Sequence, residues 1–343
     1  MEKLPMGCSL KIPYEKRKKR VEALLETTEP SVEDGDLPAE AVMARGYLFE
    51  PGRVLTVAFK GGDIELHKDI ATWAVTWEEC ANLKFDFGFN EKTGKYRSWS
   101  RRNKKKKADI RIAFESRADN CGYWSAIGND IDQIGDDGPF YPANIPTMNY
   151  EDLRSHPPGK QRAFVLHEFG HAIGFLHEHQ SPAGGCDSEF RWEDDEGYNP
   201  GRLNKKVGYV QDESGLYPGI FRVMENPPWE WTHQQVIDNM KMLDRTYAYT
   251  RSEFDPDSIM KYYYEPWHYI DGVDSHCYSG GENLELSELD KKAATLAYPF
   301  EQSEIEQLTA NKKKDLIKLI NSGQLSDEEI AFIKDTFSDI LAS

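Results

Sequence analysis

Apolar positions along the chain follow two periods, and each predicts a different kind of element. The run Asp69 to Cys80 places its apolar residues at helical spacing and is expected to be a helix. Leu83-Lys84-Phe85-Asp86-Phe87 and Ile110-Arg111-Ile112-Ala113-Phe114 instead alternate with the period of two of a strand. With the segment Cys121 to Gly128 they suggest, between about Leu48 and Ala143, a twisted sheet with a helix packed on it. Pro157-Pro158-Gly159 breaks the chain before helical spacing returns over Lys160 to Ile173.

Beyond Ser181 the pattern loosens, and Pro, Gly and acidic residues punctuate a long irregular stretch to Tyr247. Within it a helix is expected over Thr232 to Met242, opened by Thr232 as its cap. Ser287 to Tyr298 reads as a closing helix with Ser287 as cap and Asp290 in its first turn. Residues 301–343 are highly charged, with helical apolar spacing at Leu316, Ile317, Leu319 and Ile320 and again at Ile330, Ile333 and Phe337. A helix pair is expected there, docking on the preceding domain or recruiting a partner, with docking favoured because such faces are usually core.

The second helical region carries the chemistry, reading HEFGHAIGFLHEH from His167 to His179. His167 and His171 are four residues apart, so they share a helix face and both imidazoles can reach one metal ion. Gly174 lies where a helix can end in a left-handed turn, and the reversal brings His177 back as a third ligand. Glu168 sits beside the first ligand without having to be one. A bare HExxH is a weak signal, but this segment matches every fixed position of HExxHxxGxxH: His167, Glu168, His171, Gly174 and His177. Three neutral imidazoles leave a metal position open for water, as catalytic sites require and closed structural sites do not. His179 falls outside the pattern and reads as a loop histidine. The cleft is expected at the C-terminal end of this helix.

Far downstream, Met260 lies within Ser258-Ile259-Met260-Lys261-Tyr262, matching the methionine turn of the metzincins. Here the chain resembles the astacin family, whose zinc helix continues with glutamate and whose methionine turn has a tyrosine two residues on; Glu178 and Tyr262 occupy those positions. The resemblance implies an α+β fold: a twisted mixed sheet with two long helices in an upper half, and an irregular lower half with a methionine turn and a closing helix. It implies one catalytic Zn2+ held by His167, His171 and His177. Glu168 is then the general base, and Tyr262 a fifth zinc ligand in the resting enzyme that swings away to stabilise the transition state. Met260 packs beneath the site, and Glu178 either forms a buried ion pair near the cleft or is a surface glutamate. Lys261 departs from the histidine usual in the family. Tyr123-Trp124-Ser125-Ala126 is similar to the family's edge strand, where an extended peptide can lie as an added strand. The expected activity is zinc-dependent cleavage of peptide bonds in proteins. The alternatives are a zinc-holding protein-interaction module with weak catalysis, and a hydrolase of a non-peptide amide.

The 343 residues accommodate an N-terminal extension (1–45), a peptidase domain (46–300) and the helical tail (301–343). In the extension, Gly35-Asp36 resembles the propeptide pair whose aspartate caps the zinc in astacins, or is an ordinary turn. At 39% hydrophobic and 29% charged residues the chain is expected to be compact, and its net charge of −17 argues against a nucleic-acid partner. The basic runs Lys16 to Arg20 and Arg101 to Lys107 read as solvated segments. No stretch approaches the ~20 apolar residues of a membrane span. The N-terminus lacks the roughly 7 to 15 apolar residues of a signal-peptide core, which by itself reads as cytoplasmic, whereas the family is typically secreted. Five cysteines, Cys8, Cys80, Cys121, Cys186 and Cys277, leave at least one free or paired with another chain. Cys80 and Cys121 match disulfide positions of the family whose usual partners are not clearly present, and no bridge is assigned.

Overall fold

The computed structural model describes residues 43–44, 46–116, 122–135, 138–201, 208–227, 229–243, 248–249, 253–322 and 325–342. Gly35-Asp36, the run Lys16 to Arg20, Cys8 and Cys121 lie outside the described residues. The chain divides at Tyr298/Pro299 into two compact units.

The larger unit is built on a five-stranded sheet of β1 (Val54–Lys60), β2 (Lys84–Asp86), β3 (Ile110–Ala113), β4 (Tyr123–Ser125) and β5 (Met148–Tyr150), in the order β2-β1-β3-β5-β4. The first four in that order are parallel, with Val57 opposite Ile110 and Ile112 opposite Met148. At one edge β4 runs antiparallel to β5, with Trp124 opposite Asn149. Parallel strands bury both faces, and β3 accordingly has no exposed residue.

Helix α1 (Ile64–Ala74) begins earlier than its apolar periodicity indicates, because the Asp63 carboxylate accepts the Leu66 amide and caps it there. It also ends earlier: Val75–Glu79 tightens into a 3-10 turn, whose Trp77 donates its indole N–H to the Leu166 carbonyl at 2.9 Å. That bond ties the end of α1 to α2 (Pro158–Ala172), whose first residue is proline, the position where the missing N–H costs nothing. One core lies between these helices and the sheet, joining Leu55, Val57, Ile70, Trp77, Ile112, Phe169 and Phe175.

After α2 the described residues of this unit form, besides 3-10 turns and the short strand Ala248–Tyr249, the helices α3 (Ile220–Met224), α4 (His233–Met240) and α5 (Glu288–Ala297). Thr232 caps α4 in a capping box with Gln235, and Ser287 caps α5 in another with Asp290. A second core gathers here around Phe190, Met224, Val236, Tyr264 and Tyr269, and Cys186 and Cys277 join within it as a disulfide with Cα atoms 5.8 Å apart. Cys80 is a buried free thiol. The Arg101 to Lys107 run lies between β2 and β3, where Lys106 pairs with Asp132 at 2.6 Å and Arg101 with Glu115.

Among the described residues the C-terminal unit has three helices where the periodicity shows two: α6 (Gln302–Ile320), α7 (Asp327–Thr336) and α8 (Ser338–Ala342). No helix among the described residues is long and apolar enough to cross a membrane.

Candidate active site

His167 and His171 project from successive turns of α2, and Gly174 ends the helix with φ of 101°. A Cβ there would approach Leu48 Cδ2 to 2.8 Å, so both backbone angle and space select glycine. The turn is closed by the Gly174 amide on the His171 carbonyl at 2.9 Å and the Phe175 amide on the Gly170 carbonyl at 3.0 Å. Past this reversal His177 returns to the other two, and a ligand atom from each of the three buried histidines lies within 4.8 Å of the others.

The hydrogen bonds decide which nitrogens are available. His167 Nδ1 donates to the Ile259 carbonyl and His171 Nδ1 to the Phe175 carbonyl, both at 2.8 Å, since a carbonyl can only accept. His177 Nδ1 faces the Gln180 side-chain oxygen at 3.2 Å. Each imidazole therefore carries its proton on Nδ1 and turns a bare Nε2 inward. Burial favours the neutral rings: it pushes His167 down to about 4, and it holds His177 well below the ordinary range, with the neighbouring histidines adding to the effect. His167 Nε2 is buried without a hydrogen-bond partner, and the Nε2 atoms of His171 and His177 face each other at 3.1 Å. Two acceptor nitrogens at that distance repel unless a cation or proton lies between them. The donor set thus fits a metal ion such as zinc, with Nδ1 hydrogen bonds fixing the rings as metal-binding imidazoles require.

The methionine turn closes the site from below. The Ile259 carbonyl that orients His167 and the buried Met260 belong to the same turn. Asp290, read from sequence only as part of a helix cap, also accepts the Ser258 hydroxyl at 2.6 Å and the Ile259 amide at 2.8 Å. Gly170, an unspecified position in the sequence pattern, lies directly against the Met260 thioether; a Cβ there would collide with the sulfur. Neither role has a local sequence signal, since both depend on residues far away in the chain.

The Tyr262 ring stacks on His167 at 5.3 Å between centroids and lies 4.3 Å from His177. Glu168 is buried at the wall of the adjoining cleft. Glu178 is buried and accepts the Asp255 amide at 3.1 Å, while its own amide donates to the Met260 carbonyl. Burial pushes Lys261 down to about 8, opposed by the nearby Glu178 carboxylate. His179 is outside the convergent group; its Nε2 donates to the Asn239 carbonyl at 2.9 Å, and its ring stacks on His177 and Tyr262. Tyr123, Trp124, Ser125 and Ala126 lie on or just after the edge strand β4, which packs against α2 through Tyr123 and Phe164, centroids 4.5 Å apart.

The cleft itself is placed differently from the expectation. It runs from His167 and Glu168 toward the N-terminal half of α2, along Ala163 and Phe164, and its far wall includes Trp229 and Trp231. The turn at Gly174 fills the C-terminal end of the helix with Leu48 and Tyr298. Trp229 and Trp231 were not singled out by periodicity, because they sit in an irregular segment.

A mixed sheet backed by two helices, a histidine triad reached through a glycine reversal, and a methionine turn beneath it define an astacin-like metzincin fold. Among solved structures the chain is similar to one described as the structure of myroilysin, at 23% identity and a TM-score of 0.52, covering 76% of this chain and 100% of that one. A crystal structure of myroilysin aligns at 23% identity and a TM-score of 0.46, covering 78% and 93%. High choriolytic enzyme 1, a hatching enzyme zinc-protease from Oryzias latipes (medaka fish), aligns at 15% identity and 0.38, covering 79% and 98%. No protein-family model and no curated protein matches the sequence.

Proposed function

We propose that this chain is a zinc-dependent endopeptidase whose substrates are proteins or peptides. The observation that supports it best is the convergence of three neutral imidazoles, with Nδ1 of His167 and His171 bonded to backbone carbonyls and that of His177 facing the Gln180 amide. His167, His171 and His177 would hold one zinc ion. Bound there, zinc would supply Lewis acidity at neutral pH, polarising the scissile carbonyl and making water acidic enough to lose a proton. Glu168, on the cleft wall one residue from the first ligand, accepts that proton and passes it to the leaving nitrogen. Tyr262, whose ring stacks on His167, would offer its hydroxyl as a further ligand at rest and as a donor to the oxyanion when the carbonyl becomes tetrahedral. The edge strand β4 offers backbone groups to an extended substrate. The disulfide supports an oxidising compartment for the protein.

The test joins metal content to cleavage. The purified full chain should hold one zinc per molecule and cleave casein, lose cleavage with a chelator and regain it with zinc. Glu168→Gln should keep the zinc and lose most turnover. A zinc-loaded chain that cleaves no unfolded protein would overturn the peptidase reading in favour of a binding module.

A further inference from the structure

The cleft beside His167 and Glu168 has a wall that no metal-site motif accounts for. Its lining includes Met224 at the end of α3, Trp229 and Trp231, together with Tyr123, Phe164 and Leu284. The two indoles meet edge to face, 6.1 Å between centroids and 65° between planes. Between them stands Glu230 with φ of 53°, one of two non-glycine residues with positive φ among those described. Such a conformation is strained for a residue that bears a side chain and persists where the surroundings hold it, often at working sites. Here the Trp231 amide bonds to the Met224 carbonyl at 2.9 Å, and the Trp229 and Glu230 amides share the Asn226 carbonyl at 3.0 and 3.2 Å. These bonds hold the backbone from which both aromatic rings reach the cleft.

Of the charged side chains that line the cleft beside Glu168, Lys160 pairs with Glu282 at 2.6 Å, and Lys261 donates to the Tyr262 carbonyl with the Glu178 carboxylate nearby. An acidic or basic side chain would have to displace one of these pairings while losing water, whereas an apolar one only sheds water from its surface.

We infer that Trp229, Trp231 and Met224 form a specificity pocket that takes one large aromatic or aliphatic side chain of the substrate, on a residue flanking the bond to be cut. The proposal rests on the peptidase reading for the position of the bond, but the pocket can be tested without cleavage. The indole faces supply dispersion and desolvated area that an alanine side chain cannot use.

Two measurements on the zinc-loaded full chain test it. In a peptide library, cleavage should concentrate at bonds flanked on one side by Phe, Tyr, Trp, Leu or Met. Trp231→Ala, or Trp229→Ala, should lower kcat/KM for the best such peptide at least tenfold, while changing that of its alanine-substituted counterpart less than threefold. Separately, N-acetyl-phenylalaninamide should bind at least tenfold tighter than N-acetyl-alaninamide, by fluorescence or NMR titration, and Trp231→Ala should remove the difference. Cleavage without an aromatic or aliphatic preference, or with an acidic one, overturns the pocket and leaves the peptidase reading standing. No cleavage of any peptide, with tryptophan-dependent binding of the aromatic amide retained, overturns the peptidase reading and supports the pocket. Equal binding of the two amides overturns the pocket whatever the cleavage result.

Discussion

Met260 lays its thioether against Gly170, one residue before His171, so the methionine turn and the histidine-bearing helix meet where no side chain intervenes. Any Cβ at position 170 has to push the turn away, and the Ile259 carbonyl that holds His167 belongs to that turn. Gly170→Ala should therefore cost about 1–3 kcal/mol of stability by overpacking, despite alanine's better helix propensity. Thermal unfolding with and without zinc checks this, with an accompanying loss of casein turnover; an unchanged melting temperature would show that the turn yields freely.

Asp290 holds the same turn from the other side. Its carboxylate accepts from the Ser258 hydroxyl and from the amides of Ile259 and Ser287, so Asp290→Ala leaves three donors without their acceptor. A loss of about 3 kcal/mol is expected in urea unfolding, with Asp290→Asn losing less.

Burial pushes the same carboxyl up from 3.8 to about 6, more strongly than its three donors pull it down. A folded-state pKa above the unfolded one means that the native form keeps its proton longer. The proton-linked part of Asp290's contribution to stability, separate from its three hydrogen bonds, should thus be fully present below about 4, decline as pH rises, and be lost above about 6. Asp290→Asn should flatten that interval of the stability–pH curve, measured by denaturant midpoints; an identical slope in the variant would rule out Asp290 as the source.

Glu168 and Tyr262 should separate kinetically. Removing the proposed proton carrier with Glu168→Ala is expected to lower kcat on the order of 10⁴-fold, and removing the proposed oxyanion donor with Tyr262→Phe on the order of 10²-fold with KM little changed. Steady-state kinetics on zinc-loaded protein checks the order of the two effects.

Cys80 should behave as an inert core residue. Burial, with Glu79 and Asp290 nearby, raises its thiol to about 12, so almost none of it is thiolate at pH 8. Iodoacetamide should leave it unmodified in the native protein and label it in denaturant, as read by peptide mass mapping.

The sequence reveals the histidine triad because its information is local. Three histidines and Gly174 are set by spacing along one helix and one turn, and the caps at Thr232 and Ser287 are equally local. Features that depend on chain separation were illegible. The pairing of Cys186 with Cys277 spans 91 residues and required knowing that both enter the second core. The aromatic wall required knowing that an irregular segment folds back over α2, and the start of α1 was hidden because a capping aspartate, not apolar spacing, sets it.

The disulfide has a further consequence under the proposed peptidase activity. It closes a covalent ring from Cys186 to Cys277, within which lie the methionine turn, Tyr262, Trp229 and Trp231, while the three histidines stand just outside it. One backbone cut anywhere between the two cysteines opens the ring without releasing a fragment. A self-inflicted nick would thus leave the molecule at full mass under non-reducing conditions, with the turn still tethered near its metal site, and would appear as two pieces only after a reductant is added.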